Sequence, residues 1–371
     1  MELLNNELLH TPDGTRDTYG IELAAKQAVI RRIRDRIRLY GYEDIQTPML
    51  EFYEVFSSEV GTTPVRDLYK LLDNEGNLLV LRPDFTPSVA RCAAKYFSHE
   101  KSPIRLTYAG SVFENTRGLQ GKLCEMTQMG AELINAPSVF ADAEILALLI
   151  DSLLQAGLKD FQISVGNVDY FKGICKAAGL EEKVIMKLRD ALSGKNYYFA
   201  EEILKGLNID KKTRDLFLKA TRFVTTREEL RDFITNDMHP QARAAIERLM
   251  ELDRVIGAYG FHSYISYDLS LLSKYRYYTG IVFKGYTYGA GDAIASGGRY
   301  DGLLSHYGKD AAAIGVMIQI DLLMEAVRRQ NVETASPREM KTIHLEAGDF
   351  ERGIREAVEE RKAGRAVVIN G

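Results

Sequence analysis

Apolar residues recur at helical spacing from about Gly20 to Tyr40, where Ile30, Ile33, Ile37 and Tyr40 share one face. The arginines of RRIRDRIR, Arg31–Arg38, fall opposite, so this run reads as the solvated side of an amphipathic helix. GYEDIQTPMLEF follows as a loop and a strand ending near Pro48. Downstream the period shortens to two. LYKLLDNEGNLLVLRPDFTP predicts a hairpin turning at Asp73–Gly76, and RLTYAGSVFE with CEMTQMGAELI predicts a second. Between them Pro83 and Pro87 bracket a short irregular piece before the helical SVARCAAKYF. A helical pattern spans Ala141–Ala156, DFQISVGNV reads as a strand, and residues from about 170 to 260 are almost entirely helical and charged. Strand patterns return in FHSYISYDLS, YYTGIVFKGY, AIASGGRYDGLL and AIGVMIQIDLLMEAVRR, the last turning into a helix. TIHLEA, FERGIREAVEERKAG and RAVVIN close the chain as strand, helix and strand.

Alternating strands joined by hairpins predict an α+β fold, a mainly antiparallel sheet flanked by helices. We expect a core over residues 1–330, a helical insertion within it at about 170–260, and a β-α-β segment at 338–371 too short to stand as a domain. The 371 residues give ample length for such a core. A net charge of −4 and the lack of a basic stripe argue against a nucleic-acid partner, whose phosphates would demand cations. Cys92, Cys124 and Cys175 are odd in number and widely spaced, with neither zinc nor disulfide spacing, so a reducing cytoplasm is expected. MELLNNELLHTPDGTRD lacks the basic and apolar regions of a secretory signal. No apolar run approaches the ~18 residues of a membrane span, so no membrane partner is expected.

Several motifs stand in a telling order: LRPDFTPSVAR, the hairpin with Phe113-Glu114 followed by Gln120-Gly121-Lys122, DLSLLSKYRYYTGIVF, SGGRYDGLL and AAIGVMIQIDLL. Their order and spacing resemble histidyl-tRNA synthetase from about Thr11 to Arg329. Any one motif alone would be weak. The resemblance implies the class II aminoacyl-tRNA synthetase core, which dimerises through the segment around Pro48.

An adenylating synthetase must hold a triphosphate and stabilise charge at the α-phosphate, which calls for fixed cations, arginine above all. At three positions where the family places arginine, this chain carries Glu114, Ser273 and Leu322, and Gln319 replaces a glycine that lets ATP approach. Two like unit charges about 4 Å apart repel by ~4 kcal/mol at an effective dielectric of about 20. The departures imply a lost ATP site, no catalytic residue, no cofactor and no metal.

The amino-acid pocket implied by the resemblance is mostly kept. Asp84 and Thr86 match an acid and a threonine that take the ligand α-amine, the acid one methylene shorter. Gln128 and Glu132 match positions that approach the amine and the imidazole, Tyr277 and Tyr278 match tyrosines at the side-chain end, and Gly297 and Gly298 match a glycine-rich wall. Plainer uses stay open for each. Asp84 also suits a helix cap or a turn. The tyrosines suit a strand with one side chain in and one out. The glycines suit a tight turn. Gln128 and Glu132 share a strand face, because their separation is even.

This pattern of loss and retention resembles the regulatory subunits of ATP phosphoribosyltransferase. The resemblance implies a protein without transferase or synthetase activity, which joins the short-form catalytic subunit, enables the first step of histidine biosynthesis and transmits feedback inhibition by free histidine. It also implies self-association as a homodimer and no tRNA partner, with 338–371 as a remnant of a larger C-terminal domain. Glu114 would then pair with Arg117 or Lys122 instead of binding phosphate. One rival is an active histidyl-tRNA synthetase using Arg117, Lys274 or Arg276 as replacement cations. Another is an amino-acid ligase relative, a class that keeps the ATP-binding arginines.

Overall fold

The computed structural model describes residues 9–56, 63–115, 123–207, 209–220, 223–224, 226–272, 277–334, 340–345 and 350–371, without the side chains of residues 212 and 223. The first helix, α1 (Gly20–Leu39), buries Ala25, Val29, Ile33 and Ile37. Ile30 and Tyr40 pack only at the edge of the same core. Strands β1 (Glu43–Asp44), β2 (Leu50–Phe52), β3 (Lys70–Leu72) and β4 (Leu78–Leu81) follow. The last three form a small antiparallel sheet in the order β2-β4-β3. Its hairpin turns where the sequence predicts, with the Asp73 carboxylate accepting the Glu75 and Asn77 N–H groups at 2.9 and 2.8 Å and Gly76 at φ +85°.

Helix α2 (Thr86–Tyr96) leads to β5 (Ile104–Phe113) and β6 (Glu125–Ile134), which pair antiparallel from Ile104↔Ile134 to Phe113↔Glu125. Then come α3 (Val139–Gln155), β7 (Phe161–Asn167), α4 (Val168–Ala177), α5 (Glu182–Ser193), α6 (Tyr197–Lys205), α7 (Lys211–Ala220), β8 (Phe223–Val224), α8 (Arg227–Arg231) and α9 (Pro240–Ala258). Strands β9 (Ile265–Asp268), β10 (Ile281–Thr287), β11 (Ala295–Arg299) and β12 (Ala313–Gln319) lead into α10 (Ile320–Arg329). The nine-stranded sheet runs β1-β5-β6-β12-β11-β10-β7-β9-β8. It is antiparallel except for the β1–β5 and β7–β9 pairs, so the expected α+β class holds. Finally β13 (Met340–His344), α11 (Phe350–Lys362) and β14 (Ala366–Asn370) make a parallel β-α-β unit around Ile343, Ala357 and Val367.

The sheet has two unlike faces because its strands alternate. Ala131, Leu133, Phe283, Val316 and Ile318 enter one core with Val29 and Ile33 of α1 and Ile145, Leu149 and Leu153 of α3. Each such aliphatic side chain contributes about 1.5–3 kcal/mol on burial. The opposite face carries Gln128, Glu132, Ser296 and Met317 and is left to form a site. Among the described residues no helix is long and apolar enough to cross a membrane.

Candidate functional site

Glu132 is the deepest polar group on that face. Its strand β6 lies between β5 and β12, and the register sets Leu106 on one side of it and Gly315 on the other. Three hydroxyls donate to its carboxyl group: Thr86 Oγ1 to Oε1 at 2.8 Å, Tyr108 to Oε1 at 3.4 Å, and Tyr300 to Oε2. Glycine is needed across from it, since a Cβ on Gly315 would fall 1.6 Å from Glu132 Oε2. With 1% exposure, the carboxyl group pays for its desolvation with a pKa raised to about 8. The neighbouring Asp84 charge pushes the same way, and the donated hydrogen bonds only partly offset both.

Asp84, Thr86 and Gln128 line a small space in front of Glu132, and Tyr277, Tyr278 and Gly297 close it. Asp84 also fulfils its plainer role, because its carboxylate accepts the Thr86 N–H at 3.3 Å just before α2. Gln128 is 2% exposed, and its Oε1 has no hydrogen-bond partner. A buried acceptor of this kind is available to a donor that enters the space. The two tyrosines lie in the turn before β10, outside any strand, with ring centroids 4.7 Å apart. Gly298 does not line the space. Its absent side chain makes room for the Tyr278 ring, 2.8 Å from where a Cβ would stand. The space measures about 20 Å³, room for roughly one water.

The pocket adjoins a cleft of about 1150 Å³ and shares Gln128, Tyr278, Ser296, Gly297 and Met317 with it. Glu114, Gln319 and Leu322, three of the departures noted in the sequence, all line this cleft. Asp321 stands beside them, held by Lys26 at 2.7 Å and by the Thr127 N–H at 2.6 Å. Ser273 lies outside the described residues, as do Arg117, Lys122, Lys274 and Arg276. Among the described residues no cluster of His, Cys, Asp or Glu is placed to hold a metal.

Sequence reading missed Tyr108 and Tyr300 as partners of Glu132, and it gave Gly315 no role at the site. Mid-strand glycines at 130 and 315 were the available signal, because a glycine inside a strand often marks the close approach of another group.

The titration of Glu132 gives a stability prediction. Its folded pKa, about 8, lies above the ordinary value of 4.5, so the folded chain keeps a proton that the unfolded chain has released. The resulting stability is complete below the unfolded value and is lost as pH rises through the folded one, by up to ~1.4 kcal/mol per pH unit. Glu132→Gln should flatten this decline in urea titrations at about pH 5.5 and about pH 8.5. A difference between the two proteins that stays constant with pH would refute the assignment.

Comparison with known proteins follows the same lines. The sequence profile of the histidyl-tRNA synthetase family matches residues 14–323. An ATP phosphoribosyltransferase regulatory subunit from Ruminiclostridium cellulolyticum is 36% identical, with 95% of this chain and 84% of that protein covered. A crystal structure described as an ATP phosphoribosyltransferase regulatory subunit/histidyl-tRNA synthetase from Bacillus halodurans superposes with a TM-score of 0.87 at 34% identity, covering 98% of this chain and 93% of that one. Histidyl-tRNA synthetase from Nostoc shares the fold at a TM-score of 0.82 and 18% identity, covering 98% of this chain and 86% of that one. On its core motifs, its sheet and these relatives, the chain belongs to the histidyl-tRNA synthetase family, on the branch of the ATP phosphoribosyltransferase regulatory subunits.

Proposed function

We propose that the chain is the regulatory subunit of an ATP phosphoribosyltransferase, binding free histidine without activating it and acting in the cytoplasm on a short-form catalytic subunit. The observation that carries this reading is the contrast between two adjoining spaces. One gathers Asp84, Thr86, Gln128, Tyr277, Tyr278 and Gly297, with Glu132 behind them. The other has the volume for a nucleotide but presents Glu114, Gln319 and Leu322 to it. In the pocket Asp84 and Gln128 take the ligand's ammonium group, and Glu132 takes the imidazole. With the triphosphate cations replaced, the chain needs neither ATP nor tRNA.

A contiguous stack links the pocket to the segment around Pro48. Tyr108, which donates to Glu132, stacks on Phe85 with centroids 4.2 Å apart, and the Arg82 guanidinium lies 3.8 Å from the Phe85 ring centre. Arg82 in turn donates to the carbonyls of Thr47 at 2.8 Å and Pro48 at 3.3 Å. Beside that segment Met49, Leu50, Phe52, Leu71 and Leu72 are exposed, an apolar surface suited to a second copy of the chain. Histidine that repositions Glu132 therefore acts on a path toward the homodimer contact, and it regulates by favouring one arrangement of the assembly. In the same reading residues 1–330 form the core, 170–260 an insertion in it, and 338–371 an appended unit.

The test is reconstitution with a short-form ATP phosphoribosyltransferase catalytic subunit. The chain should co-purify with that subunit and restore histidine-sensitive activity, with no histidine-dependent ATP–pyrophosphate exchange. Asp84→Ala removes a charge-assisted contact of about 1.5–3 kcal/mol, so roughly 10–100-fold more histidine should be needed for inhibition. Unchanged inhibition in an intact complex would rule out this pocket as the sensor, and pyrophosphate exchange would overturn the reading as a whole.

A further inference from the structure

Tyr277 and Tyr278 stand in a turn, where no run of strand pairing fixes a side chain, and the residue that follows them supplies an anchor. Thr279 is held through both its backbone and its side chain. Its N–H donates to the Arg299 carbonyl at 2.8 Å. Its hydroxyl donates to the same carbonyl at 3.3 Å and accepts the Asp301 N–H at 3.0 Å. That one hydroxyl therefore spans the residues on either side of Tyr300. Gly280 continues the anchorage, its carbonyl accepting the Val168 N–H at 3.0 Å. Arg299 Cδ lies 3.4 Å from where a Cβ on Gly280 would stand, so the turn is pressed closely onto the end of β11.

The tripeptide that Thr279 grips is itself fixed. The Tyr300 N–H donates to the Ala313 carbonyl at 2.7 Å, and the Asp301 carboxylate accepts the Ala313 N–H and Arg299 Nη1, each at 3.0 Å. The Tyr300 hydroxyl donates to Glu132, and its ring meets Tyr277 edge-on with centroids 5.9 Å apart. Arg299, Tyr300 and Asp301 thus hold the Glu132 side of the small space with one side chain and the tyrosine side with two backbone groups. Thr279 lies behind that space and is not part of its lining.

We infer that Thr279 is a positioning residue of the histidine pocket, its hydroxyl setting the wall of Tyr277 and Tyr278 against the wall of Tyr300 and Glu132 without touching the ligand. This deepens the histidine-pocket reading and rests on it. Side chains in a binding site keep their geometry only as well as the groups behind them are held. A hydroxyl that donates in one direction and accepts in another fixes a turn against two neighbours at once. Valine keeps the branched shape, loses both bonds and takes away the partner of the half-buried Asp301 N–H.

The experiment is calorimetric titration of the purified full chain with L-histidine, comparing the parent with Thr279→Val, Thr279→Ser and Thr287→Val. Thr279→Val should weaken binding by about tenfold. Thr279→Ser, which keeps the hydroxyl, should stay within about twofold of the parent. Thr287→Val makes the same exchange at the far end of β10, where the hydroxyl donates to the Asp160 carbonyl at 2.6 Å, and should leave the affinity unchanged. Parent-like binding by Thr279→Val, or a Thr279→Ser protein as weak as Thr279→Val, would overturn the inference and leave the pocket in place. An equal loss in Thr287→Val would overturn it too, by showing a general effect on the sheet. If the parent itself gives no heat with histidine, the histidine-pocket reading fails and the role of Thr279 fails with it.

Discussion

Alanine at Asp142 is expected to destabilise the chain by about 3–5 kcal/mol, the characteristic result of removing one member of a buried ion pair. Asp142 sits in the first turn of α3 and has no exposed surface. Arg299 Nε donates to Oδ1 at 2.9 Å, and Arg248 Nε donates to Oδ2 at 2.8 Å. Burial raises the Asp142 pKa even against the pull of these two arginines. Without the carboxylate, Arg299 keeps Asp301 at 3.0 Å and the Ala136 carbonyl at 3.0 Å. That leaves a guanidinium 5% exposed without its main counter-charge. Urea denaturation checks the number, and a loss below about 1 kcal/mol would mean that water or a rearranged Asp301 takes over the charge. Asp142→Asn, which keeps an acceptor, should cost less.

The same triad has a functional position. Arg299 directly follows Gly298, and its backbone carbonyl accepts the Thr279 N–H at 2.8 Å beside the two pocket tyrosines. Arg248 belongs to α9, where it also donates to the Pro137 carbonyl at 2.9 Å. The helices of residues 170–260 are thus tied to the glycine wall of the pocket through one buried carboxylate.

How much of this could be read from the sequence depended on how far apart the cooperating residues lie. The β5–β6 hairpin was legible because its alternation is local. The helical face of α1 was legible too, although the buried stripe runs through Ala25 and Val29 and so leaves Ile30 at the edge. β8 was not legible: two residues at a sheet edge carry almost no pattern and exist because β9 is beside them. The acids and amides of the pocket were found only because motif order fixes their company. Tyr108 looks like any strand aromatic until β6 sets Gly130 across from it. The Asp142–Arg299 pair joins residues 157 positions apart, beyond any local period.

Gly315→Ala should weaken histidine binding, with an affinity loss of roughly 5–150-fold. A methyl group at this position would overlap Glu132 Oε2, and β12 cannot retreat because it is paired on both sides, with β6 and β11. The carboxyl group must leave, and with it go the hydroxyl donations from Thr86 and Tyr300. The ligand then loses its hydrogen bond to the displaced Glu132 carboxyl group, about 1–3 kcal/mol or roughly 5–150-fold in affinity. The fold should lose about 2–6 kcal/mol, the cost of the two broken hydrogen bonds. Shortening the acid creates the missing room, so Gly315→Ala combined with Glu132→Asp should recover part of the affinity that Gly315→Ala alone loses. Rescue of that kind separates a clash inside the pocket from a general failure of the sheet. A single Gly315→Ala variant that binds histidine like the parent would show that Glu132 does not hold the ligand in the position its hydrogen bonds imply.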